Sequence, residues 1–198
     1  VVIDLGELAF NILRPVSKSE EPSDFALGLK FADFATSEDL WSMIDPGKAL
    51  PRDPATIAID VTGKAKMLFD FFDPEQMVAV ESGEAMPAEL NALTLNNLLV
   101  SIAGAKLSGT GDFTFDNSDL TTFDGMPKPT GGIDLALNGG NGLMDKLVQM
   151  GLLPQEQAMA ARMMMGLFAR PGEGEDSLTS KIEINEEGHI LANGQRIQ

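Results

Sequence analysis

Few residues in this chain could carry covalent chemistry. Its 198 residues include no Cys and one His. That removes a thiol nucleophile, a disulfide frame and a Cys/His zinc site. His189 stands in Glu187-Gly188-His189-Ile190, a turn that enters a strand. No Gly-x-Ser-x-Gly elbow accompanies it, so a Ser-His-Asp triad has no anchor and His189 reads as a solvated hairpin residue. Asp112, Asp116, Asp119 and Asp124 form an acidic run. An EF-hand starting at Asp116 needs an oxygen side chain and then Gly where Leu120 and Thr121 stand. Glu173, Glu175 and Asp176 have the chemistry for a weak Ca²⁺ site, but loop acids in so acidic a chain are ordinarily solvated. No pair of carboxylates is singled out by spacing for glycoside chemistry.

Anion-binding signals are also thin. Gly139-Gly140-Asn141-Gly142 leads into a helix and could present backbone N–H groups to a phosphate. No Lys-Ser/Thr follows it, and Gly109-Thr110-Gly111 lacks the third Gly of a dinucleotide fingerprint. Both read as flexible turns or strands. Leu50-Pro51-Arg52-Asp53-Pro54 is a stiff loop in which Arg52 pairs with Asp45 or Asp53, or else receives an anionic head group. No catalytic, cofactor-binding or metal-binding residue is assigned. The 30 acidic residues against 14 basic ones give a formal charge of −16, which repels nucleic acid and anionic bilayer surfaces.

The elements that must position these residues are mostly strands. Phe25, Leu27, Leu29 and Phe31 alternate with smaller or polar residues. So do Ile57, Ile59 and Val61, continued by Ala65, Met67 and Phe69. Leu107, Phe113 and Phe115 share one parity, and Ile133, Leu135 and Leu137 alternate, as do Leu178, Ile182 and Ile184. Period-two alternation puts each apolar set on one face, which predicts an antiparallel sheet with one wet face. Leu93 and Leu95 are odd while Leu98, Val100 and Ile102 are even, so Asn96-Asn97 marks a β-bulge. A second slip separates Ile3 and Leu5 from Leu8, Phe10 and Ile12 at Gly6-Glu7. Bulges bend a sheet, so a curved one is expected.

Helices are fewer. Thr36-Ser37-Glu38-Asp39 opens a short one carrying Leu40, Trp41 and Ile44, stopped by Asp45-Pro46-Gly47, with Trp41 as a core anchor. A second follows Gly142, with Leu143, Leu147 and Met150 on one face and Gly151 as its stop. A third starts at Pro154, with Met159, Met163, Gly166 and Leu167 expected on its inner side. Asn185-Glu186-Glu187-Gly188 and Asn193-Gly194 are hairpin turns.

Arithmetic on these elements is informative. A helix is ~10 Å wide and strands lie ~4.8 Å apart, so one helix roofs roughly two strands. About nine or ten strand candidates face two useful helices and one short one. Half of the apolar face is therefore left for a ligand, a partner or further chain to cover. The surface so marked comprises Leu98, Val100 and Ile102, then Leu107, Phe113 and Phe115, then Ile133, Leu135 and Leu137. Met159 and Met163 add an adaptable wall, since Met suits variable apolar partners.

Several blocks carry a family resemblance. They are Leu50-Pro51-Arg52-Asp53-Pro54, the Gly-rich strand from Lys106 to Phe115, Asn141-Gly142-Leu143-Met144-Asp145-Lys146-Leu147, the Met-rich helix, and Asn193-Gly194-Gln195-Arg196-Ile197. Their order resembles the bacterial family labelled domain of unknown function 2125. The resemblance implies a larger, envelope-directed protein with an N-terminal export or anchor segment, and no established catalytic residues. Residue 1 is Val rather than Met, which agrees with a missing N-terminal part. The expectation is a single α+β domain over residues 1–198, the C-terminal part of a longer periplasmic protein. Its curved, bulged antiparallel sheet carries two or three helices on the apolar side, mostly near the C-terminus. It needs no cofactor. Its expected role is non-catalytic: binding a lipid or apolar ligand in the concave face, or alternatively packing that surface on an envelope protein partner.

Overall fold

A computed structural model describes residues 2–83 and 86–198. The chain runs β1 (Ile3–Asp4), β2 (Glu7–Leu13), β3 (Ser23–Thr36), α1 (Glu38–Ile44), β4 (Ala55–Met67), α2 (Pro74–Glu81), β5 (Ala88–Ile102), β6 (Ala105–Asp116) and β7 (Lys128–Asn138). It continues through α3 (Gly140–Gln149), α4 (Gln155–Phe168), β8 (Arg170–Pro171), β9 (Ser177–Ile184), β10 (Ile190–Ala192) and β11 (Gln195–Arg196). Every strand pairing among the described residues is antiparallel, in the order β1-β3-β4-β5-β6-β7-β9-β10-β11. β2 continues the β1 edge on β3, and β8 pairs with β9. Among the described residues the two ends of the sheet do not pair, so it is not a closed barrel.

The registers carry the apolar alternation from strand to strand. One row runs Leu8, Phe31, Ile57, Val100, Leu107, Leu137, Leu178. The next runs Phe10, Leu29, Ile59, Leu98, Gly109, Leu135, Ser180. Directly paired residues share a face, so these rows define one apolar side across seven strands. The other side carries Lys30, Asp60, Asp112, Asp134, Lys181 and Glu183.

The slip at Asn96-Asn97 is a bulge: the β5 register shifts there against both neighbours. Asn96 Nδ2 donates to Asp60 Oδ1 and Thr62 Oγ1, each at 3.0 Å, which pins the extra residue on the polar side. The slip at Gly6-Glu7 separates β1 from β2. It is matched on β3, where Asp33 takes a positive φ of 56° and the pairing with β4 shifts between Phe31 and Phe34.

α1, α3 and α4 occupy the expected positions. α2 was not expected. Asp73 caps it by accepting from Glu75 and Gln76 N–H, and Pro74 opens it. The signal was legible in Asp73-Pro74-Glu75-Gln76, but no clean apolar stripe follows it.

The core is thin. Among the described residues eight apolar side chains are buried and six of them are alanines: Ala32, Ala58, Ala103, Ala105, Ala158 and Ala192. The accessible surface is 12382 Å², against roughly 9,000 Å² for a compact monomer of this mass. The sheet is largely a single layer.

Candidate functional site

All nine marked strand residues lie on the apolar side. Val100, Leu107 and Leu137 stand in one row, Leu98 and Leu135 flank Gly109, and Ile133 is opposite Gly111. Phe113 pairs with Leu93, Phe115 with Pro129, and Ile102 with Ala105. These residues are mostly half-buried. Met164, Met165 and Phe168 of α4 form one wall of an open groove of about 300 Å³ over Leu107, Leu135, Leu137 and Leu178.

The expected inner side of α4 needs correction. Met159 and Met163 are 61% and 71% exposed, and Leu167 is exposed too, whereas Ala158 is 1% exposed. The inward stripe is Ala158, Arg162, Met165 and Phe168, one residue out of step with the expected one. Ala158 lets the helix approach closely. Arg162 then ties α4 to α3, donating to Asn141 Oδ1 at 3.1 Å and Asp145 Oδ1 at 2.6 Å. Met159, Met163 and Leu167 form a second apolar stripe that faces outward.

The barest part of the apolar side lies on β2 to β4, outside the marked residues. Leu8, Phe10, Ile12, Leu27, Leu29 and Ile57 are all exposed. Their alternation was legible in sequence. What sequence did not show is that α3 and α4 stand beside β6 and β9 and leave the N-terminal strands open.

Arg52 sits at the rim of this side in a small apolar pocket with Phe34, Trp41, Ile44 and Ile102. Its Nη1 donates to Asp45 Oδ2 at 2.7 Å, its Nη2 donates to the Asp45 carbonyl oxygen at 3.1 Å, and its guanidinium lies 4.3 Å from the Trp41 ring centroid. Of the two expected partners, Asp45 is the one it bonds. An anionic head group would have to displace Asp45 and meet Glu38, 3.8 Å from Arg52 Nε. Asp45 is 1% exposed. Desolvation, the largest influence, pushes its carboxyl up, but N–H donors from Leu50 and Ala49 and the Arg52 guanidinium together hold it below the ordinary range.

The remaining chemical candidates are absorbed by local structure. The backbone N–H groups of Asn141 and Gly142 donate to the Asp176 carboxylate, at 3.2 and 2.8 Å. The anion at this helix start is thus the chain's own. Asp119 accepts from Thr121 and Thr122 in its turn. His189 Nδ1 lies 3.1 Å from Glu187 Oε2 within its hairpin turn. Among the described residues no three of His, Cys, Asp and Glu gather into a metal-sized group, and no helix is long and apolar enough to cross a membrane.

A family profile matches residues 3–189, that of an uncharacterized protein conserved in bacteria (DUF2125). The chain belongs to this family. The match takes in the open apolar strands, the Gly-rich β6 and the Met-rich α4, while Asn193-Gly194-Gln195-Arg196-Ile197 lies beyond it. The chain matches no curated protein and no solved structure.

Proposed function

We propose that this chain is a non-catalytic module of the bacterial cell envelope that holds a lipid or another apolar ligand on the apolar side of its sheet. The observation that carries the reading is the bare apolar surface over β2, β3 and β4. Monomeric soluble proteins rarely leave a large contiguous apolar patch without a use for it. In this reading the bulges at Asn96-Asn97 and Asp33 bend the sheet so that this side is concave. α4 forms one bank, with Met164 and Met165 as its soft, adaptable lining. The envelope setting rests on the family resemblance.

Native mass spectrometry of delipidated protein with phosphatidylethanolamine, phosphatidylglycerol or a free fatty acid tests the reading. A lipid adduct is expected, with the uncharged or zwitterionic head group favoured because Arg52 is already paired. Leu29→Asp puts an unpaired charge in the middle of the bare surface and should abolish the adduct. Thr114→Asp on the polar side should leave it unchanged. No adduct with any of the three, or full loading by a folded Leu29→Asp protein, removes the reading.

A second reading, an assembly subunit that packs on an envelope protein, is favoured by the outward stripe of Met159, Met163 and Leu167 on α4. A stoichiometric partner captured from native membranes, and lost with Met163→Asp, would support it. Capture that this substitution leaves unchanged counts against it.

A further inference from the structure

The groove under α4 has a frame that the bare surface over β2 to β4 lacks. Its floor is β6, β7 and β9. Leu135 is paired on both flanks, with Gly109 and Ser180, and so is Leu137, with Leu107 and Leu178. The outer edge of β9 is taken as well. β8 pairs there with Leu178 and Thr179. Gly172 N–H donates to the Ser177 carbonyl oxygen at 2.8 Å, and Asn193 N–H donates to that of Lys181 at 2.7 Å. The end of α4 is fastened to the same strand. The Phe168 carbonyl oxygen accepts from Ser180 Oγ at 2.6 Å and from Asn193 Nδ2 at 2.8 Å. The last carbonyls of a helix have no partner within it, and here two side chains satisfy one of them and hold the helix end over the floor. All the residues of this frame fall between Leu107 and Asn193.

The frame selects the occupant. The Ser180 hydroxyl, on the apolar side of the floor, is already spent on Phe168. Among the described residues no open strand edge borders the groove. A polypeptide lying in it would bring backbone N–H and C=O groups that find no partner, each at a cost. An alkyl chain brings no polar group at all. Met164 and Met165 suit an occupant with no fixed shape. The floor also runs on into the bare surface. Leu135 continues through Gly109, Leu98 and Ile59 to Leu29, and Leu137 through Leu107 and Val100 to Ile57. We infer that the groove under α4 seats the methyl end of an acyl chain, whose polar end points along these rows toward β4 and β3, and that Met164, Met165 and Phe168 gauge its length. The inference rests on the ligand reading above and gives it a chain-length preference.

Titration calorimetry with straight-chain fatty acids from octanoate to hexadecanoate, each below its micelle concentration, tests it. Affinity should rise about fourfold per methylene until the groove is full, and then level off. Met164 is 54% exposed and lines the groove, so Met164→Trp adds bulk to the wall without entering the packed interior. It should move the plateau to a shorter chain. It should also weaken hexadecanoate binding about tenfold, the worth of roughly two methylenes. Met163→Trp, the same change on the outward stripe, should alter neither. An unshifted plateau in Met164→Trp overturns the inference, as does an equal shift in Met163→Trp or a rise with no plateau. In those cases binding that is lost in Leu29→Asp keeps the ligand reading and removes only this one. Binding of no chain at any length removes both.

Discussion

Asp176 shows how a side chain can be mistaken for a ligand site when only its neighbours in sequence are seen. It lies beside Glu173 and Glu175 in a loop, yet its carboxylate reaches back 34 residues to Gly142. Desolvation, the largest influence, raises its pKa, and the N–H donors of Gly142 and Asn141 more than reverse that. Asp119 is held down to about 2, first by the Thr122 hydroxyl and backbone N–H. With Asp45, these are three carboxyls whose folded pKa lies below the ordinary 3.8. The sign follows: the folded state binds fewer protons, so their contribution is complete above the unfolded pKa and is lost as pH falls through the folded one. Stability should therefore be flat down to about pH 5 and fall between roughly pH 4 and 2. Protonation also relieves the repulsion of a −16 chain, which acts the other way, so urea unfolding belongs at high salt, where that repulsion is screened. Stability that rises steadily down to pH 2 under those conditions would contradict the assignment. Asp176→Asn, which keeps an acceptor but loses the charge, should soften the acid limb.

α4 decides the argument at the scale of elements. Its stripe Ala158, Arg162, Met165, Phe168 faces inward, and the stripe Met159, Met163, Leu167 faces out. Ala158→Leu should overpack the helix seat and cost about 1–3 kcal/mol in thermal or urea unfolding, whereas Met159→Ala should stay within about 0.5 kcal/mol. The opposite ranking would restore the stripe expected from sequence. That expectation failed for a physical reason. Helical periodicity measures the contrast between faces, and here the outward face is as apolar as the inward one, while the inward one holds an Arg. Period two served better. Each long strand announced itself, because one wet face keeps the alternation clean, and the parity change from Leu95 to Leu98 located a bulge to the pair Asn96-Asn97. The order of the sheet was not read from the sequence, yet its long strands simply follow one another from β3 to β7. The placement of α3 and α4 beside β6 and β9 depends on tertiary contacts such as Arg162 with Asp145, and no local pattern encodes those. Gly131 makes a further test of the sheet. Its φ is +146°, and an added Cβ would strike the Asp112 carbonyl oxygen across the ladder. Gly131→Ala should therefore destabilise by more than the ~1 kcal/mol typical of a point substitution, and a neutral result would mean that β6 and β7 separate more readily than their register implies.

The whole molecule presents an imbalance: 12382 Å² of surface, a core of mainly alanines, and a row of large apolar side chains facing outward. The chain folds as a layer whose apolar side is largely uncovered among the described residues. A ligand on that side leaves a thermodynamic signature. A ligand that binds only the folded chain stabilises it by RT ln(1 + [L]/Kd), about 2.7 kcal/mol at a hundredfold excess over Kd. At 2–4 °C per kcal/mol for a chain of this size, that raises Tm by roughly 5–10 °C. Calorimetry with and without lipid reads that rise, which should vanish in Leu29→Asp. Burial of apolar surface also makes the heat capacity of association negative, which titration calorimetry reads directly. A chain whose Tm does not respond to lipid would leave its apolar side to a protein partner or to further chain.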